Sequence, residues 1–139
     1  MAILVTGGAG YIGSHTVLYL QQQGEDVVVL DHLQTGHREA VREAVLYEGD
    51  VRDGALLDEI LTKHAIDAVI HFAAHSLVGE SVQKPLHYYD NNVIGTHVLV
   101  QRMVAHNVRR MVFSSTAATY GNPKDVPIVE ESPTVPTNP

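Results

Sequence analysis

Residues 115–124, Ser-Thr-Ala-Ala-Thr-Tyr-Gly-Asn-Pro-Lys, hold a tyrosine and a lysine four apart, Tyr120 and Lys124. A pair at that spacing does acid–base chemistry when one helix carries both side chains on the same face. The ammonium then draws the phenol's pKa from about 10 toward neutrality. Gly121, Asn122 and Pro123 separate the two here. A glycine, a turn-forming amide and a proline do not build a regular helical turn. Tyr120 is therefore not expected to be the base.

A second constellation points to an anionic ligand. Gly7, Gly10 and Gly13 punctuate "VTGGAGYIG" at three-residue intervals, after an apolar run and before a segment of helical periodicity. In that context Gly7 allows a tight turn, Gly10 lets a diphosphate approach the backbone, and Gly13 permits close helix–sheet packing. The unpaired N–H groups and positive dipole end of the following helix then face the phosphates. Asp31 closes the next apolar run, about 20 residues beyond the glycines, where a carboxylate accepts from both ribose hydroxyls. It would repel a 2′-phosphate, and His32, Leu33 and Gln34 offer no Arg or Lys to receive one. NAD is favoured over NADP.

Strands and helices must position these groups. Residues 2–7, 26–31, 44–50, 67–74 and 109–115 are rich in Val, Ile and Leu without strict alternation, the mark of strands covered on both faces. Residues 12–23, 53–64 and about 80–107 read as helices, with Pro85 in the first turn of the last or breaking it. The alternation predicts an α/β fold: a Rossmann-like, doubly wound parallel sheet of five strands in order 3-2-1-4-5. Residues 1–120 form the dinucleotide-binding unit. Residues 121–139, with five of the six prolines, read as an extended loop that arrives nowhere. Asp50 and Val51 close the third strand in "GDVRD", placed to meet an adenine, although a helix N-cap role for Asp50 or Asp53 competes.

Composition narrows the function. A length of 139 residues suits one domain, and 45% hydrophobic residues suffice for a core. A net charge of −7 argues against nucleic acid or anionic membrane as partner. Without cysteine there is no disulfide or thiolate metal site, and none of the nine histidines has metal-ligand spacing, so no metal is expected. No apolar run reaches about 18 residues, and the first residues lack a signal peptide's basic region. The cytoplasm is the expected compartment.

The segments "TGGAGYIGSH", "HFAA", "GESVQKPLHYYDNNVIGT" and "FSSTAATYG" together resemble the extended short-chain dehydrogenase/reductases, and within that family the UDP-glucose 4-epimerase group. The likeness runs along the whole chain, and the third segment is far more selective than the glycine loop. It implies that Tyr11 and Ile12 lie along the pyrophosphate, and that Asp31, His32, Leu33, Gln34, Thr35 and Gly36 surround the adenosine ribose. It implies adenine contacts for Asp50 and Val51, a strand end under the pyrophosphate and nicotinamide for Phe72, Ala73, Ala74 and His75, and a cofactor-ordering role for Asn91. Some members carry a phosphate-gripping lysine where this chain has Ser76, so that charged contact is not expected here. Thr116 matches the Ser or Thr that hydrogen-bonds the oxidised sugar hydroxyl, with Ser114 and Ser115 as alternatives.

The implied reaction is redox-neutral: the 4-hydroxyl of a UDP-sugar is oxidised and reduced again on its other face, interconverting UDP-galactose and UDP-glucose. In the family the Tyr-x-x-x-Lys follows a loop like "PTNP", so the catalytic helix, the last strands and the uridine-diphosphate region are expected beyond Pro139. The chain alone is then expected to be inactive. The family's homodimers use the long helix near 80–107 with the next one. A 4,6-dehydratase is disfavoured, because that chemistry needs Asp-Glu where Ala117 and Ala118 follow Thr116. An epimerase of UDP-glucuronate or UDP-arabinose, and a non-catalytic dinucleotide-binding module, stay open.

Overall fold

The computed structural model describes residues 1–139. Five strands, β1 (Ala2–Thr6), β2 (Asp26–Asp31), β3 (Val45–Glu48), β4 (Ala68–His71) and β5 (Met111–Phe113), form one sheet in the order β3-β2-β1-β4-β5. All pairings are parallel, with Leu4 opposite Val28 on one side and Val69 on the other. The predicted topology is the observed one.

The uninterrupted apolar runs are explained by two cores. Successive side chains point to opposite faces of a strand. Leu4, Val28, Leu30 and Val69 pack on one face with Leu57, Ile60 and Leu61 of α2 (Gly54–Lys63) and Leu99 and Met103 of α5 (Gly95–Ala105). Ile3, Val5, Val27 and Val29 pack on the other face with Val17 of α1 (Tyr11–Gln22) and with Val41. Each fully buried aliphatic side chain contributes about 1.5–3 kcal/mol relative to exposure. Helix α2 starts where Asp53 accepts hydrogen bonds from the N–H groups of Ala55 and Leu56, so the cap belongs to Asp53 and not Asp50.

Three expectations gain detail. The helical stretch over about 80–107 is broken at Pro85, one of the two alternatives the sequence left open. Helix α3 (Val78–Gln83) ends at Lys84, whose φ of −127° and ψ of 56° are non-helical, and α4 (Pro85–Tyr88) restarts with proline in its first turn. A π-helical stretch, Tyr89–Ile94, then joins α4 to α5. The strands are shorter than the apolar runs: 44–50, 67–74 and 109–115 retain only β3, β4 and β5, and after single bonds such as Phe72 N to Thr6 O and Ser114 N to His71 O the chain turns into loops. Finally, the 121–139 segment turns back. A β-carbon at Gly121 would lie 1.9 Å from the Val135 carbonyl oxygen, and Asn138 Nδ2 lies 3.4 Å from Ser81 Oγ.

Candidate dinucleotide site at the carboxyl ends of the strands

Open α/β sheets gather ligands at the carboxyl ends of their strands, where strand order reverses. Here that point is the end of β1, flanked by β2 and β4. The chain leaves β1 through Gly7, whose φ is +73° and whose hypothetical β-carbon would stand 2.6 Å from Ala73 N. Only glycine fits such a turn against the β4 loop. Gly13 is equally constrained, with a β-carbon 2.1 Å from the Gly7 carbonyl oxygen. That contact is with the helix's own entry turn, rather than with the sheet as the spacing suggested. At Gly10 the nearest atom to a β-carbon would be that same oxygen at 3.4 Å. Gly10 thus borders open space.

Gly10 is also the N-cap of α1, and no side chain caps it. Gly10 N donates to Gly7 and Ser14 N to Gly10, while the N–H groups of Tyr11, Ile12 and Gly13 between them have no protein acceptor. Tyr11 and Ile12 are exposed. Three unpartnered donors at the positive end of a twelve-residue helix suit an anion.

Asp31 is 7% exposed. Its Oδ2 accepts from Ala9 N at 3.0 Å and its Oδ1 from Leu33 N at 2.9 Å, tying the glycine turn to the loop after β2. Each oxygen keeps a second lone pair for a ligand. The loop packs on the glycine turn: His37 N donates to Ala9 O, and a β-carbon on Gly36 would meet Ala9 Cβ at 2.8 Å. Leu33 adopts φ of 58°, a left-handed conformation that bulky residues accept only under constraint. Gln34 and Thr35 are exposed on the same loop.

Asp50 and Val51 also lie at a strand end, but in different roles. Val51 is buried in the core and would touch a β-carbon on Gly95 at 2.8 Å. Asp50 accepts from Arg52 N at 2.8 Å and pairs with the guanidinium, which also bridges to Asp90. Hydrogen bonding by Arg52 holds the Asp50 carboxyl down to about 2. A ligand here meets a carboxylate already paired.

Beyond β4, Phe72, Ala73, Ala74 and His75 run past the glycine turn, with Phe72 N donating to Thr6 O. A residue that spacing alone did not single out fixes this loop. Asn92 accepts from His75 N at 2.8 Å and donates to His75 O at 3.0 Å, while its Oδ1 also accepts from Asn91 Nδ2 at 2.9 Å. Asn91, 5% exposed, therefore stands second to Asn92 in the clamp. The doubled asparagine was the available signal, but which of the two faces the loop depends on the π-helical stretch. Beneath lies His71, 2% exposed. The Thr96 hydroxyl donates to Asn92 O at 2.6 Å, so it accepts from His71 Nε2 at 3.0 Å, and Nδ1 accepts from the Thr6 hydroxyl at 2.5 Å. Burial lowers the His71 pKa to about 4, so a neutral imidazole joins β1, β4 and α5.

Thr116 lies beyond β5 and is exposed. It N-caps the short 3-10 turn Ala117–Tyr120, its Oγ1 accepting from Ala118 N at 3.1 Å. The hydroxyl proton stays free to donate. Tyr120 closes that turn and Gly121 follows with φ of 61°, so Lys124 shares no helix with Tyr120. The expectation against this pair agrees with the backbone.

With this geometry in view, comparison with known proteins is decisive. A family model for the NAD-dependent epimerase/dehydratase family matches residues 3–139. The chain belongs to that family. It is 66% identical over 139 residues to a UDP-glucose 4-epimerase of Halalkalibacterium halodurans, covering 100% of this chain and 42% of that protein. It resembles UDP-glucose 4-epimerase from Brucella ovis solved in complex with NAD, with a TM-score of 0.95, 49% identity, and coverage of 99% of this chain and 42% of that one. The enzyme from Bifidobacterium longum solved with NAD+ and UDP gives a TM-score of 0.92 and 44% identity, covering 97% and 43% of the two chains. The chain thus spans less than half the length of the relatives it matches. No helix is long and apolar enough to cross a membrane.

Proposed function

We propose that this chain binds NAD across the carboxyl end of β1 and serves as the cofactor-holding part of a UDP-glucose 4-epimerase. The observation that carries the reading is the trio of unpartnered N–H groups at Tyr11, Ile12 and Gly13, opening beside Gly10 with Asp31 one strand away. The first-turn amides would hold the diphosphate, Asp31 the adenosine ribose, and the Phe72–His75 loop would pass under the pyrophosphate and nicotinamide side. NAD, when bound, supplies the hydride acceptor for the sugar's C4.

Thr116 would orient the sugar. Its oxygen already accepts from Ala118 N, so the hydroxyl proton can donate to the 4-oxygen and fix it in reach of the cofactor. No other Tyr-x-x-x-Lys spacing occurs in residues 1–139, and the one present lies off any shared helix. The acid–base pair therefore belongs to chain outside these residues, and residues 1–139 alone bind without turnover. In this division residues 1–120 form the binding unit and 121–139 lead toward the base. Leu86, Tyr89, Val93, Val100 and Val104, all exposed, line one side from α4 to α5 at helical spacing, a fitting face for a homodimer. The same observation about Tyr120 and Lys124 favours, as second reading, a non-catalytic dinucleotide-binding module.

Titration with NAD, followed by assay with UDP-galactose, tests both. Binding without turnover by residues 1–139, with turnover once the chain extends through a Tyr-x-x-x-Lys segment, is the expected result. No binding refutes the cofactor reading. Binding with no turnover in any extended form favours the module.

A further inference from the structure

Three imidazoles stack beside the crevice. His32, from the loop after β2, lies with its ring centroid 6.3 Å from that of His75, at 29° between planes. His75, from the loop after β4, lies 4.5 Å from His87 of α4, at 24°. Tyr88 flanks His75 at 5.5 Å. The rings thus link the carboxyl ends of the two strands that flank β1. No set of three His, Asp or Glu side chains in the chain is disposed to hold a metal ion.

The charges around the stack are already paired. Glu80 on α3 bonds Lys84 and the Tyr88 hydroxyl, and Arg52 in the β3–α2 turn bonds both Asp50 and Asp90. Asp31, 3.8 Å from His32 Nδ1, accepts from two backbone amides, and His32 Nδ1 itself accepts from Gln34 N at 3.2 Å. Glu80 alone among the carboxylates favours a proton on the middle ring, and burial with the neighbouring imidazoles outweighs it. The pKa of His75 is lowered, first by burial and then by His87 and His32. The neighbouring stretches 7–13, 31–36 and 72–76 contain no Lys or Arg. A diphosphate arriving here would meet helix amides and imidazoles as its sources of positive charge.

We propose that His75, held between His32 and His87, takes up a proton when the diphosphate of the dinucleotide binds, and so supplies the cationic contact. This rests on the cofactor reading above and adds to it. The sign follows from linkage. A group neutral in the free protein and protonated in the complex makes affinity fall as pH rises between its two pKa values, by up to about tenfold per unit for one proton.

The test is calorimetric titration of the chain with NAD from pH 5.5 to 8, in two buffers of different ionisation heat. Wild type is expected to take up protons and to bind more weakly as pH rises. His75→Asn is expected to lose the uptake and flatten the dependence, while His87→Asn, which removes a repulsive neighbour, moves the window to higher pH. The Asn92 clamp grips only His75 main-chain atoms, so His75→Asn leaves it in place, and His75→Gln serves as second variant with circular dichroism as check on folding. Binding with no proton uptake, or equal uptake in wild type and both His75 variants, overturns the inference and leaves the cofactor reading standing. Absence of NAD binding at every pH overturns both.

Discussion

The two sides of the crevice are built differently. Around β1 and β2 the strands are buried, with Leu4, Val5 and Val29 at 0% exposure, and the loops are tied by Asp31, Gly36 and His37. At β5 the sheet ends in an edge strand with Val112 61% and Phe113 55% exposed, and Thr116 stands in solvent. The first side is closed and held by its own hydrogen bonds. The second leaves a hydroxyl and an apolar edge exposed. On the proposed reading, the first side holds the dinucleotide and the second meets the sugar.

Gly13→Ala should break the contrast most strongly. A β-carbon 2.1 Å from a backbone oxygen forces the helix off the turn, at a cost of about 3 kcal/mol or more. Urea unfolding and NAD titration should both collapse, whereas Gly79→Ala, with nothing within 4 Å, should barely matter.

Acid should weaken the closed side next. His71 is depressed to about 4 from 6.5, so the unfolded chain binds more protons between those values. Stability should be full above about pH 6.5 and decline by about 3 kcal/mol toward pH 4. Denaturant unfolding at several pH values would read that slope, and His71→Gln should flatten it. Asn92→Ala leaves His75 N and O without their partner, at a cost of about 1–3 kcal/mol. NAD affinity should fall with it, while Asn91→Ala, which removes only the bond to Asn92, should cost less.

The smallest effect should come from the open side. Thr116→Val removes an exposed cap worth about 0.5–1 kcal/mol and should leave NAD binding unchanged. In a chain extended through the acid–base segment the same substitution should abolish most turnover, with Thr116→Ser restoring it.

What the sequence made legible follows the same divide. The buried strands announced themselves because both faces are covered, and the glycine spacing and Asp31 because they act within one strand–turn–helix–strand unit. Pro85 marked a break, but the π-helical stretch after it left no compositional trace, and with it went the choice between Asn91 and Asn92. The histidine stack was illegible because its rings come from three separate segments. The strands β3, β4 and β5 are shorter than their apolar runs, because apolar residues such as Phe72 go on packing against the core after the strand has ended.

A crystal structure of the chain grown with NAD would test the central claim most directly. The account predicts the diphosphate on the N–H groups of Tyr11 and Ile12, with the adenosine ribose against Asp31. A dinucleotide bound elsewhere, or a crevice filled by the chain's own side chains, would contradict it.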